Sequence, residues 1–437
     1  MATYLTRTQV PGTSRTIFTV SMWVKKVENT PGHEQYLFHT WYDGNNRFMV
    51  SFMNTDTLRV RERSSGSTTI EVETNRLFRD VNSWYHIVVR VDTTQGTASD
   101  RVRIYVNGVQ ETSFSSSSYP SQNLECRIGT GSFTNYLAEY GGGGNNFSGV
   151  ASHWHYVDGQ SLAPTVFGST DSTTGEWKIN TSPSGITYGN NGFFLFKDDN
   201  SVNDDSGEGH NFTLASGTLT KTEDCPSNVF ATGNPLAIKN SPIFTNGNNT
   251  ITALGSSPYD VTTLGTLGMS SGKFYYEVKW RYGGNQNNQA FTTGITASNQ
   301  PLATNMSSGS YNNVWFNLNG GDLKKNNSDV GTDYPISVNS IVGFAWDLDN
   351  GTLKIHENGT YKNSGNAVVT GIPSDTYLPF FSPNGGTTTS ICDLNFGNGY
   401  FGTTAVSSAG TNASGNGIFE YDVPTGYTAL STKGLNL

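Results

Sequence analysis

The sequence predicts an all-β chain built as two antiparallel β-sandwich (jelly-roll) domains in series, and three observations carry that prediction. Hydrophobic residues make up 34% of the 437 positions and charged residues only 14%, yet 24 Phe, 21 Tyr and 8 Trp are present. Disorder goes with high net charge and few aromatics, so this many rings point to a packed interior in a chain otherwise rich in turn formers. Apolar side chains recur at every second position along many short runs, as in strands with one buried face. Asn-Gly pairs, which tolerate positive φ, separate several of those runs and suit tight hairpin turns. At roughly 150 residues per domain, the length allows two or three domains.

Taken in order, residues 16–26 alternate Ile17, Thr19 and Ser21 against Phe18, Val20, Met22 and Val24, which predicts a half-buried strand. Strand-like runs follow at 36–41, 47–53, 58–63, 67–73, 83–92 and 101–114, the last turning at Asn107-Gly108. Residues 147–164 are expected to close a first domain over 1–165. Helix formers are scarce, and only 75–80 and 162–167 suit about one helical turn each. Residues 166–236 mix polar turns, an apolar run at 193–196 and an acidic stretch at 198–208, which predicts an irregular connector packed on the domains. In the second domain, 237–405, Val342, Phe344 and Trp346 alternate, and the alternation resumes at Leu353 and Ile355. Asn350-Gly351 and Asn358-Gly359 are each expected to form a two-residue type I′ turn. Residues 406–437 form a C-terminal extended segment whose Tyr421, Val423 and Tyr427 are expected to dock on a sandwich. RVRIYVNGVQ near 106 and TLKIHENGTY near 356 are alike in form, one hairpin solution used in two related sandwiches.

Three family resemblances add to this. FTVSMWV, WYHIVV and RIYVNG are similar in pattern to laminin-G-like and concanavalin A-like jelly rolls, over about residues 1–165. VGFAWDLDNGTLKIHENGT resembles the core hairpin of the SPRY family, SGKFYYEVKW its opening strand, and YLPFF followed by ICDLNFG its closing pair. HYVDGQSLAPTVFGSTDSTTGEWK, NGFFLFKDDNS, CPSNVFATGNPL and SSGKFYYEVKW, in that order, look like a module arrangement of tailed-bacteriophage structural proteins, especially marine and cyanobacterial ones. There a lectin-like domain precedes a SPRY-like one, and this resemblance spans nearly the whole chain. It implies a virion protein, either a tail fibre or tip or a capsid decoration, made in the host bacterial cytoplasm. Its implied partners are other virion proteins and host cell-surface glycans.

Charge and cysteine usage bound the function further. A net charge of −9 argues against nucleic acid, whose binding rests on clustered Lys and Arg. Arg59, Arg61 and Arg63 alternate as one solvated strand face. The three cysteines, Cys126, Cys225 and Cys392, lie far apart and form neither a disulfide framework nor a CxxC metal pattern, which fits a reducing site of synthesis. The N-terminus has no signal-peptide pattern, and no apolar run approaches the ~20 residues of a membrane span, so no membrane insertion is expected. Heptads and collagen-like tracts are absent, so a homo-oligomer would form through sandwich faces or sheet edges.

Catalytic chemistry is not expected. Glycan hydrolases on jelly rolls need paired carboxylates flanking the scissile bond, and Glu71 and Glu73 share a strand face without a flanking aromatic or a third acid. His153 and His155 alternate without nearby zinc partners, and Gly141 to Gly144 lack the Lys of a phosphate loop and are read as a flexible loop. Asp347 and Asp349 are read as turn caps. Asp198, Asp204 and Asp205 belong to the richest oxygen cluster, but its spacing fails the EF-hand pattern; a solvated acidic loop is expected, calcium being the alternative, and no other cofactor.

What remains is binding, and sugars are held by aromatic faces with Asn, Asp and backbone groups at the hydroxyls. Two loops hold that mixture: Trp41, Tyr42, Asp43 and Asn45 in the first domain, and Trp280, Tyr282 and Asn285 in the second. The expected function is a non-enzymatic virion structural protein that binds host glycans. The alternative is a secreted carbohydrate-binding module or glycan-active enzyme.

Overall fold

The computed structural model describes residues 2–29, 32–254, 261–282, 291–302, 312–383 and 389–436. Within them the chain is all-β, with four 3₁₀ turns as its only helical elements. Two compact units divide it, Met1–Lys221 and Thr222–Leu437. Residues 166–221 thus belong to the first unit, where they supply strands, and 222–236 to the second.

In the first unit two sheets pack face to face. The eight-stranded sheet runs β10 (Phe114–Ser118), β6 (Ser67–Thr74), β5 (Leu58–Ser64), β4 (Asn46–Phe52), β3 (Gln35–Asp43), β11 (Thr134–Leu137), β1 (Tyr4–Thr8), β16 (Thr213–Ser216). The six-stranded sheet runs β15 (Phe193–Leu195), β12 (Gly149–Asp158), β2 (Ile17–Lys26), β7 (Tyr85–Asp92), β8 (Val102–Val106), β9 (Val109–Gln110). Between them lie Phe18, Val20, Met22, Ile87, Val89 and Tyr156 from one sheet and Phe38, Phe48, Val50, Val60 and Val72 from the other. Burying each of these large side chains is worth roughly 1.5–3 kcal/mol.

The expectation of a half-buried strand at 16–26 is corrected: every residue of β2 after Ile17 is buried. Its outer face is covered by residues 162–194, which carry the short pair β13 (Gly168–Thr170) and β14 (Trp177–Ile179) and pack Phe167, Tyr188 and Phe194 on Val88, Tyr105 and Val157. Thr19 and Ser21 tolerate this because they are bonded: Thr19 Oγ1 donates to the Gln160 carbonyl and accepts from Leu162 N–H, and Ser21 Oγ lies 2.9 Å from His86 Nε2. Asp158, 1% exposed, accepts N–H groups from Thr13 (2.8 Å), Ser14 (3.0 Å) and Asn191 (3.2 Å), tying two irregular segments together.

The second unit repeats the plan. A seven-stranded sheet runs β17 (Gly233–Lys239), β20 (Thr262–Gly265), β29 (Tyr377–Pro383), β22 (Phe291–Ala297), β23 (Asn313–Asn317), β24 (Leu323–Lys325), β25 (Ser328–Asp329). The facing sheet runs β18 (Ile243–Thr245), β19 (Thr250–Ala253), β30 (Ser390–Asn395), β21 (Lys273–Tyr282), β26 (Ile341–Asp347), β27 (Thr352–Glu357), β28 (Thr360–Tyr361). β33 (Thr428–Ala429) runs parallel to β21, and β31 (Tyr400–Phe401) pairs with β32 (Thr404–Ala405). The C-terminal segment docks as a strap: Phe419, Val423, Tyr427, Ala429 and Leu430 join the core.

The turns divide. Asn107-Gly108 and Asn358-Gly359 have both residues at positive φ (48° and 79°; 48° and 81°), as a type I′ turn requires, and each precedes a two-residue edge strand. At Asn350-Gly351 the expectation is corrected, since the chain reverses over four residues and only Gly351 has positive φ, at 59°. Asp347 builds this wider turn by accepting from the Asn350 N–H (3.0 Å) and Nδ2 (2.9 Å). A 3₁₀ turn forms at Pro164–Val166, but 75–80 is not helical: Asn75 N–H bonds the Ser113 carbonyl and Phe78 N–H that of Asp56, drawing the chain into tertiary pairing.

Among the described residues one ionic contact is wholly buried. Lys26 Nζ lies 2.8 Å from Asp56 Oδ1 and 3.0 Å from the Phe78 carbonyl, and neither charged side chain has measurable exposure. Arg79 Nε reaches the other Asp56 oxygen at 3.2 Å, so it is loss of the carboxylate that leaves Lys26 as an uncompensated charge in the interior. Asp56→Asn, which keeps shape and the tolerance for positive φ, should lower the stability of the first unit by about 3–5 kcal/mol. Adding Lys26→Met should recover part of that loss, measured by urea denaturation.

Candidate functional site

In the first unit, aromatic side chains gather on the outward face of the eight-stranded sheet, where β3 lies between β4 and β11. His39 and Trp41 alternate along β3, and the register sets Arg47 beside Trp41 and Tyr136 beside His39. Tyr140 completes the group, with ring centroids 5.0 Å from Trp41, 5.0 Å from Tyr36 and 5.2 Å from His39. The Arg47 guanidinium lies 5.7 Å from the Trp41 ring and 5.4 Å from that of Tyr140, and donates to Tyr140 Oη at 2.6 Å. Residues 141–144, expected as a flexible loop, are pinned here: Gly141 N–H donates to His39 Nδ1 and Gly144 N–H to Glu139. A Cβ at Gly141 would lie 2.4 Å from the indole, so glycine lets the backbone cover that ring. Burial lowers the His39 pKa well below the usual value, leaving a neutral imidazole under partly exposed Trp41, Tyr136 and Tyr140.

The predicted loop residues do not act together. Trp41 and Tyr42 are successive strand residues and face opposite ways; Tyr42, 60% exposed, stacks on Phe133 instead, centroids 4.9 Å apart. Asp43 caps the turn by accepting from Asn45 N–H (2.8 Å) and Asn46 Nδ2 (3.1 Å), the Asn45 bond being the main reason its pKa is lowered. Trp280 is corrected from a loop residue to a core residue: β21 runs on to Tyr282, so period two turns the indole inward with Tyr276 and Val278, 2% exposed. Tyr282 is placed by its backbone pairing with Ser390, and Asn285 lies outside the described residues. Tyr36, Arg47, Tyr136 and Tyr140 were not singled out, because strand pairing rather than sequence proximity unites them with Trp41.

The acidic candidates serve structure. Asp204 accepts from Phe194 N–H, Ser206 N–H and Oγ, and His210 N–H, which folds its own loop. Asp198 is an exposed residue 4.0 Å from Lys197 Nζ, and burial is the main cause of the raised Asp205 pKa. Among the described residues no group of three or more His, Cys, Asp or Glu converges to hold a metal ion. Glu71 lies 3.3 Å from Arg61 and 3.9 Å from Arg59, and Glu73 accepts from Thr57 Oγ1 at 2.7 Å. His155 Nδ1 is 2.9 Å from Tyr188 Oη, and His153 Nδ1 2.8 Å from Ser152 Oγ.

The second unit holds a relay of buried polar groups on the outward face of β21. Glu277, without measurable exposure, accepts from Tyr275 Oη (3.0 Å) and Tyr421 N–H (2.9 Å) on one oxygen, and from Glu420 N–H (2.9 Å) and Asn395 Nδ2 (3.1 Å) on the other. Tyr275 Oη is also 2.6 Å from His356 Nε2, while His356 Nδ1 accepts from Gly359 N–H at 3.1 Å. The imidazole proton therefore sits on Nε2, and the hydrogen bonds run from His356 through Tyr275 to Glu277. Gly343, opposite His356 in the register, makes room for the ring, since a Cβ there would lie 1.9 Å from Nε2. Beside this relay, the strap and β27–β28 enclose an open cleft of about 470 Å³.

Residues 2–151 match a family model described as the Concanavalin A-like lectin/glucanases superfamily. No curated protein matches the chain. Among solved structures, the SPRY domain of human HERC1 is similar at 14% identity, covering 37% of this chain and 96% of its own, with a TM-score of 0.31. The TRIM65 PSpry domain is similar at 13% identity, with 38% and 91% covered and a TM-score of 0.30. The native heptameric SAP-like pentraxin of Limulus polyphemus is similar at 17% identity, with 37% and 72% covered and a TM-score of 0.28.

Each unit carries a buried glutamate whose pKa burial pushes from 4.5 up to about 7, Glu62 in the first and Glu277 in the second. The folded state then holds these protons where the unfolded chain has released them. That contribution to stability is complete below the unfolded pKa and is lost as pH rises through about 7. Thermal unfolding followed from about pH 5 to 8 should show stability falling with pH from this source. Glu277→Gln should flatten the slope of the second unit whatever its own melting temperature.

Proposed function

We propose that this chain is a non-enzymatic structural protein of a tailed-phage particle, a tail fibre or tip or a capsid decoration, that binds host-surface glycans through its first unit. The observation that carries the glycan part is the partly exposed Trp41, Tyr136 and Tyr140 group with Arg47, inside the stretch that matches the lectin and glucanase superfamily. Stacked rings cover the apolar face of a sugar, and the partly exposed Arg47 and Asn146 supply donors and acceptors for hydroxyls. The phage part rests on the order of modules along the sequence. On this reading the protein is made in the bacterial cytoplasm, assembles with other virion proteins, and forms any homo-oligomer through sheet faces or edges. Nucleic acid and the membrane interior are not among its partners.

A secreted carbohydrate-binding module or glycan-active enzyme is the second reading, favoured by the glucanases within the same superfamily description. Against catalysis stand the arginines and threonine that occupy Glu71 and Glu73. Mass spectrometry of purified particles should find the chain in the virion; recovery only from culture supernatant, with glycan cleavage, would instead establish the second reading. Trp41→Ala should weaken binding to host surface polysaccharide at least tenfold, about 1.4 kcal/mol, in a surface-adsorption assay with the fold unchanged by circular dichroism.

A further inference from the structure

The cleft of the second unit is a built site that the first-unit reading leaves unused. Its volume of about 470 Å³ falls in the range of small-molecule sites. His356 forms its floor, 1% exposed and held at both ring nitrogens. Tyr361 and Tyr421 each lie 5.3 Å from that imidazole, at 71° and 73° to its plane, so both rings stand upright over it. Tyr421 is fixed at its backbone by Glu277, and glycines fit closely around it: a Cβ at Gly410 would lie 2.1 Å from its carbonyl carbon, and one at Gly359 2.8 Å from its ring. The Tyr361 hydroxyl is shut off from solvent without a hydrogen-bond partner in the protein, so what this residue offers the cleft is its ring.

Charge selects the ligand. Among the described residues no Lys or Arg lines the cleft, burial lowers the His356 pKa to about 4 and leaves it neutral, and two carboxylates, Glu420 and Asp422, are part of the lining. Anionic sugars are therefore repelled. Both carboxylates also close the strap loop and are held as fixed acceptors: Glu420 accepts from Ser407 N–H and Oγ, and Asp422 Oδ1 from Thr411 N–H and Oγ1. Tyrosine faces with hydrogen-bonding groups and no free cation suit an uncharged pyranose ring, whose apolar face stacks and whose hydroxyls bond Ser408, the strap backbone and Asp422. We propose that this cleft is a second sugar site, for one uncharged pyranose residue, independent of the Trp41 group.

The test uses the full chain and saturation-transfer NMR with the methyl glycosides of glucose, galactose and mannose, with glucuronic acid and tetramethylammonium as the anionic and cationic arms. Transfer to the ring protons of at least one glycoside is expected. It should persist in Trp41→Ala, and in that background fall at least tenfold on adding Tyr421→Ala and likewise on adding Ser408→Trp, which fills the cleft from an exposed loop and spares the core. Glucuronic acid and tetramethylammonium should give no transfer. Loss of transfer in Trp41→Ala alone would overturn the cleft proposal and leave the first-unit reading standing. Transfer to no glycoside, or stronger transfer to either charged probe, would also overturn it.

Discussion

Both units depend on the same constraint: a segment without a strand ladder of its own must find partners for its backbone N–H groups once it is packed against a sheet. In each unit one buried carboxylate meets that need. Asp158 collects Thr13, Ser14 and Asn191, and Glu277 collects Glu420 and Tyr421. An acidic side chain has two oxygens and so accepts several N–H groups at once. The irregular segments thus held cover the outward face of one sheet in each unit. This explains how a chain with only 34% hydrophobic residues buries β2 on both sides and β21 beneath a strap.

This covering also accounts for what was and was not legible in the sequence. Alternation located the main strands and the inward residues of both cores, because burial of one face leaves a period of two whatever lies on the other. The outward face gave no such signal. Thr19, Ser21 and Glu277 are polar residues in alternation and resemble solvated positions; only the long-range return of residues 162–194 and 416–430 buries them. The Asn-Gly rule served where the pair alone closes the turn, at 107–108 and 358–359, and missed where an adjacent aspartate makes a wider turn.

The candidate sites were legible in part. Trp41 lies where an aromatic face is presented, but its sequence neighbour Tyr42 points the other way, and its working neighbours come from β4, β11 and residue 140. Trp280 could have been assigned to the core by carrying the alternation of Tyr276 and Val278 one step further. The cleft had no local signature, although the hairpin at 341–362 that marks the second domain contains Gly343, His356, Gly359 and Tyr361. The missing wall, Tyr421, comes from the strap.

The pairing of distant strands has a consequence for biosynthesis. β1, near the start, is flanked by β11 and β16, so its sheet is complete only after residue 216 has left the ribosome. The second unit waits longer, since β33 at 428–429 lies alongside β21. Until those last residues emerge, a nascent chain carries Tyr275 and Glu277 uncovered on an open sheet face. During that interval the open face is exposed to wrong partners.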